Sequence, residues 1–190
     1  MRKKTEDLKV RILECAITLF IEKGIDNVTT RELAEQLGLS RSHIYHYYSN
    51  WQSLCIAALS QFMESELIEF NHRTIGLKPY QKLTYLAENY LPVEQDVIWQ
   101  LYASLWRMAA NNAAYAELAE FNNNRWRVMV SSIIQDGINQ GVFRPVNAEQ
   151  VARQLGAMLN GYAEMLIIDP SIEKHEQANE DIINFIRLVL

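Results

Sequence analysis

Positions 40–51 read SRSHIYHYYSNW, which puts four aromatics, two histidines, one arginine and three serines into twelve residues without a carboxylate. The acid-free window runs from Gln36 to Met63, in a chain that carries 23 Asp and Glu among 190 residues. At that density roughly three acids are expected in such a window by chance. Side chains that donate hydrogen bonds, with none that repels an anion, suit a surface that meets phosphates and base edges. A recognition helix lays its first residues against base edges in the major groove and its flanks against the backbone. On that reading Arg41 and Ser42 take the exposed first turn, where arginine paired with guanine is the commonest specific contact, and His43 shares their face. Tyr47 is placed for a phosphate, and His46 can join it by the same geometry. Tyr45 has two readings: its ring helps close the core, while its hydroxyl reaches outward. Thr29 and Thr30 offer hydroxyls and backbone N–H groups from the first turn of the helix before.

The elements that must position these groups are legible around them. Thr29-Thr30-Arg31-Glu32 has a capping-box layout, with Thr29 as the cap and Glu32 as the residue that bonds back. That helix is cut at Gly38 after two turns, and Ser40 caps the next one, which starts at Arg41, carries Ile44, Tyr45 and Tyr48 inward and ends near Ser49. Two short helices joined by a glycine-containing turn are the signature of a helix-turn-helix. Ala34, Gly38 and Ile44 supply the small crossing residue, the turn and the apolar anchor at offsets of 0, 4 and 10. Ahead of them Leu8, Ile12, Cys15, Ala16, Leu19 and Phe20 recur at helical spacing, predicting an amphipathic helix over 5–23 that stops at Gly24. Asn50 caps a longer helix over 51–72. Further helices are predicted over 79–91, 94–110, 113–139, 148–168 and 175–190, the 113–139 run open to a kink or split near Asn122–Asn124. The expected fold is all-α with about nine helices. Residues 1–50 form a helix-turn-helix domain and residues 51–190 an effector-binding and dimerisation domain, connected by the 51–72 helix.

Composition narrows the function. The formal net charge of −5 argues against a protein that coats nucleic acid indiscriminately. It is uneven, since residues 1–53 hold eight Lys and Arg against seven acids, and residues 54–190 ten against sixteen. Only the first quarter suits a polyanion, and His43 and His46 can add charge there. No apolar run approaches the length of a membrane span, about 18 residues or more, and the charged amino terminus is no secretory signal. Cys15 and Cys55 read as buried free thiols of a cytoplasmic protein. His43, His46, His72 and His175 have no carboxylate or thiol constellation, and no third ligand follows the His43–His46 pair. With no phosphate loop and no nucleophile elbow, an enzyme is not expected, and no cofactor or metal is called for.

The run ILECAITLFIEKGIDNVTTRELAEQLGLSRSHIYHYYSNWQSL, residues 12–54, resembles the amino-terminal domain of the TetR family of bacterial transcriptional regulators. The resemblance implies a homodimer that binds a palindromic double-stranded DNA operator as a repressor and lets go when a small molecule enters the second domain. Two positions depart from the family pattern. Trp51 stands where many members have a phosphate-contacting lysine, so it either packs between the domains or substitutes an aromatic N–H for the ammonium, and Tyr48 stands where phenylalanine is usual. From Ile98 to Ile167 the chain looks like the branch that includes the choline-responsive, BetI-like repressors.

In the second domain Trp99, Tyr102 and Trp106 share one helix face, and Phe121, Trp126 and Tyr162 are further candidates for an effector cavity suited to an apolar or cationic ligand of unknown identity. The competing reading is that these aromatics are simply core. Asp96 and Glu164 are candidate counter-charges for a cation, or else helix-edge carboxylates. For dimerisation, Val151, Leu155, Leu159, Tyr162 and Leu166 make one stripe, and Ile182, Phe185 and Ile186 belong to a second, so an intersubunit four-helix bundle is expected. A helical adaptor that recognises protein or ligand rather than DNA is the alternative.

Overall fold

The computed structural model describes residues 2–190, with side chains from Asp7 onward. The described residues contain nine α-helices and no strand: α1 (Arg2–Lys23), α2 (Thr30–Leu37), α3 (Arg41–Tyr45), α4 (Trp51–Arg73), α5 (Pro79–Tyr90), α6 (Val97–Ala109), α7 (Ala113–Asn139), α8 (Ala148–Ile168) and α9 (Ile172–Val189). A single 3₁₀ turn, Ile25–Asn27, follows α1 and was not expected. Two compact units emerge, and they differ from the sequence division at residue 50. The first holds residues 1–66 and 100–120, the second residues 67–99 and 121–190.

In the first unit α1, α2, α3 and the start of α4 close around Ile12, Ala16, Leu19, Phe20, Leu33, Ile44, Leu54 and Leu59, each at most 1% exposed. Leu101, Leu105, Tyr115 and Leu118 join the same core from the end of α6 and the start of α7. Arg107 of α6 pairs with Asp26 of the 3₁₀ turn, and Gln52 of α4 donates to Asn112 Oδ1 at 3.0 Å. Cys15 and Cys55 are free thiols. Burial pushes the Cys55 thiol up to about 12, despite a hydrogen bond with Tyr115 that pulls the other way.

In the second unit α5 packs against α8 and α9, which pack against each other. Arg187 of α9 donates to the Tyr80 hydroxyl at 3.0 Å, and the Tyr90 hydroxyl donates to Asn160 of α8 at 2.8 Å. α7 runs unbroken through Asn122–Asn124, with the Asn122 side chain buried. The chain then turns back, and Val142 and Phe143 both donate backbone N–H groups to the Gly137 carbonyl, at 2.9 and 3.1 Å. This lays the Phe143 ring directly over Gly137, where an added Cβ would meet ring carbon Cδ2 at 2.1 Å.

Helix propensity alone predicts that Gly137→Ala stabilises by up to about 1 kcal/mol. The ring contact predicts the opposite sign: Gly137→Ala should destabilise by about 1–3 kcal/mol in urea unfolding. In a Phe143→Ala background the same substitution should cost much less. Equal costs in both backgrounds would refute the contact.

Candidate nucleic-acid interface

The interface is built on α2 and α3. Thr29 is extended, and its hydroxyl accepts from the Glu32 N–H at 3.3 Å, so the first cap is as expected. Its reciprocal bond is not: the Glu32 carboxylate takes the Lys23 ammonium of α1 instead, which ties α2 to α1. Gly38 adopts φ +66°, a left-handed conformation that a side chain resists, and lets Leu39 N–H reach the Ala34 carbonyl at 2.9 Å. The chain is thereby turned so that Ser40 caps α3, accepting from His43 N–H at 3.2 Å. α3 ends at Tyr45 and continues as turns, rather than as helix to Ser49, with Tyr47 N–H and Tyr48 N–H both donating to the Ile44 carbonyl. Asn50 caps α4 through Ser53 N–H at 2.8 Å.

Ile44 is fully buried, and that fixes what α3 shows to solvent. Arg41, Ser42, His43, Tyr45 and His46 are exposed, and Tyr47 is half-buried. The Ser42 hydroxyl lies 3.0 Å from that of Ser40. The Tyr47 ring is stacked on His43, with centroids 5.7 Å apart and planes at 29°, and meets His46 edge-on at 5.2 Å. Thr29 is exposed, whereas Thr30 is 8% exposed and its hydroxyl pairs with the Tyr45 hydroxyl at 2.8 Å. The two hydroxyls expected to reach separately for DNA therefore bond to each other, joining the start of α2 to the end of α3. Trp51 packs edge-on against Phe20 at 5.9 Å, inside the first unit.

The residues named for an effector cavity fall into separate groups. Trp99 and Trp126 both contact Tyr90, at 5.0 and 6.3 Å, and Trp126 also meets Phe70, which meets Tyr85. Tyr90, Phe70 and Tyr85, not named from the sequence, thus complete an aromatic row in the second unit. Burial pushes the Tyr90 phenol up. Tyr102 and Trp106 belong to the first unit, where Tyr102 contacts Trp106 at 6.1 Å and Phe62 at 6.2 Å. Phe121 is 57% exposed, with the Arg125 guanidinium over its ring. Tyr162 donates to Asp181 of α9 at 2.7 Å. Asp96 accepts from Ile98 N–H at 2.7 Å and so caps α6, the helix-edge role, and Glu164 is exposed.

Most residues of the expected dimer stripe are covered within the single chain. Val151, Leu155, Leu159, Leu166, Ile182 and Ile186 are all at most 5% exposed within the single chain, because they face the core shared by α5, α8 and α9. Tyr162 and Phe185 are half-buried. The opposite side of α8 is the open one: Met165 is 65% and Ile168 78% exposed, and a Cβ at Gly161 would meet nothing within 4 Å.

A capped helix-turn-helix that presents an acid-free, donor-rich face defines a DNA-binding regulator. Residues 12–58 match the family model for bacterial regulatory proteins of the tetR family, and residues 79–190 match that for the carboxy-terminal domain of BetI-type transcriptional repressors. The chain belongs to the TetR family and is a transcriptional regulator of that type. It is 25% identical to the HTH-type transcriptional repressor KstR2 of Mycolicibacterium smegmatis over 70% of this chain, a match spanning 66% of that repressor's length. A TetR transcription regulator from Haloarcula marismortui has the same fold, with a TM-score of 0.85 at 23% identity, covering 97% of this chain and 99% of that one. A protein from Saccharomonospora viridis, solved in complex with choline, superimposes with a TM-score of 0.79 at 22% identity, covering 94% and 96%. Among the described residues no helix is long and apolar enough to cross a membrane, and no cluster of His, Cys, Asp and Glu is arranged to hold a metal ion.

The hydroxyl pair yields a test. Tyr45→Phe and Thr30→Val should each destabilise by about 1 kcal/mol. The double variant should cost clearly less than the sum of the two. Additive costs would mean that the two hydroxyls act independently.

Proposed function

We propose that this chain represses transcription as a homodimer, gripping a palindromic operator through α3 and releasing it when a small molecule binds its second unit. The observation that carries the reading is the exposed face of α3. It offers a guanidinium, hydroxyls and imidazoles with no acid from Gln36 to Met63, and buried Ile44 holds it in one orientation. A helix this short contacts few bases, so two copies about one DNA turn apart are needed for useful specificity. The α8 side carrying Gly161, Met165 and Ile168 supports self-association, since it combines exposed apolar bulk with room for close approach. The aromatic row from Trp99 through Tyr90 and Trp126 supports an apolar or cationic effector. Choline, bound in the Saccharomonospora structure, is a natural first candidate to test for release.

Enrichment of any duplex from a random pool separates a DNA reader from a helical adaptor, and Arg41 then tests which residue reads a base. With duplexes enriched from a random pool, Arg41→Ala should lose about 1–3 kcal/mol and relax the preference at one base pair per half-site. Unchanged affinity and preference would assign base reading to other residues. The dimer face is tested separately: Met165→Glu with Ile168→Glu should shift the sedimenting species from dimer to monomer while circular dichroism stays unchanged. A variant that remains dimeric would place the interface elsewhere.

A further inference from the structure

Ile44 is the one buried side chain of α3, and a single apolar anchor does not fix how a five-residue helix is turned about its own axis. A second attachment, well round the helix from the first, does. Tyr45 lies about 100° round from Ile44, and its hydroxyl meets that of Thr30 at 2.8 Å. Arg41 stands one turn before Tyr45, about 40° from it, so the two share a face. Whatever holds Tyr45 therefore holds the face that carries Arg41.

Thr30 is built to do the holding. It opens α2, whose start is fixed by the Thr29 cap and tied to α1 by the Lys23–Glu32 pair. Thr30 is buried and its hydroxyl is engaged by Tyr45, so it has little surface to offer a phosphate. The bond also spans the ends that matter. Gly38 joins the end of α2 to the start of α3, whereas Thr30 and Tyr45 stand at the two far ends. A covalent turn at one end and a hydrogen bond at the other close the angle between the helices, as a strut does.

We propose that Thr30 is a positioning residue for sequence reading: it leaves DNA untouched and, through the Tyr45 hydroxyl, sets the angle at which α3 presents Arg41. The proposal rests on the DNA-binding reading above and deepens it, because it separates discrimination from affinity. Phosphate contacts tolerate a helix that rocks, since charge attraction falls slowly with distance. Paired hydrogen bonds to a base edge do not, because they weaken steeply once misaligned. Loss of the strut should cost choice between sequences rather than grip on the backbone.

The test measures, by fluorescence anisotropy, affinity for a duplex enriched from a random pool and for its scrambled counterpart, at a temperature where circular dichroism shows each variant folded. Thr30→Val keeps the shape and removes the hydroxyl. It should reduce the preference for the enriched duplex about five- to tenfold, with affinity for the scrambled one little changed. Tyr45→Phe, altered at an exposed position, should show the same loss, and adding Thr30→Val to it should reduce the preference no further. Thr30→Ser retains a hydroxyl and should keep the wild-type preference. A merely structural role lowers the active fraction for both duplexes alike and leaves their ratio unchanged, which overturns the proposal. So does a full Thr30→Val effect in the Tyr45→Phe background, since Thr30 then acts on its own. If the wild-type chain enriches no duplex and binds none at low salt, the DNA-binding reading falls and the strut's role with it.

Discussion

Helix α3 is five residues long, and a helix of that length has no stability of its own in water. The orientation of every exposed side chain on α3 therefore depends on the burial of Ile44 against a core drawn from α1, α2 and α4. Burying one such aliphatic side chain contributes about 2–3 kcal/mol, enough to hold a single short turn in one orientation. The Ser40 cap and the Tyr45–Thr30 hydroxyl bond act on the same segment from its two ends. With the inward face fixed, the outward face follows from helical geometry, and the absence of acids gains its meaning from that orientation.

The core that anchors α3 is larger than the helix-turn-helix. Residues 100–120 contribute Leu101, Leu105, Tyr115 and Leu118 to it, and the Arg107–Asp26 pair and the Gln52–Asn112 bond fasten that segment further. One compact unit thus contains both the helix-turn-helix and a stretch of α6 and α7 that is remote in sequence. Trp99, immediately before this stretch, belongs to the aromatic row of the second unit.

What could be read from the sequence was local. The caps at Thr29, Ser40 and Asn50 rest on side-chain chemistry within three residues, and all three are present. Caps, turn residues and helical periodicity together placed the nine helices of the described residues, but α3 was overrun, because Tyr47 and Tyr48 continue the apolar spacing in a turn. Periodicity also marked one side of α8 as buried without saying what buries it, and the stripe through Leu155 and Leu159 meets its own chain. The return bond expected of Glu32 was lost to Lys23, a cation nine residues away that no capping pattern considers. Tyr90 and Phe70 escaped notice because their partners lie on other helices. Residues 100–120 could not be assigned to the first unit for the same reason, since the contacts that place them are long-range.

The claim on which the rest depends is that the face of α3 reads DNA as part of a two-fold pair. The most direct measurement is the stoichiometry and sequence preference of binding at near-physiological salt, using a duplex from upstream of the protein's own gene against its scrambled counterpart. Two subunits per site, with a preference on the order of a thousandfold or more, is the predicted result. Equal and weak affinity for the two duplexes, lost steeply as salt rises, would mean that the face binds backbone without reading sequence there, and would contradict the account.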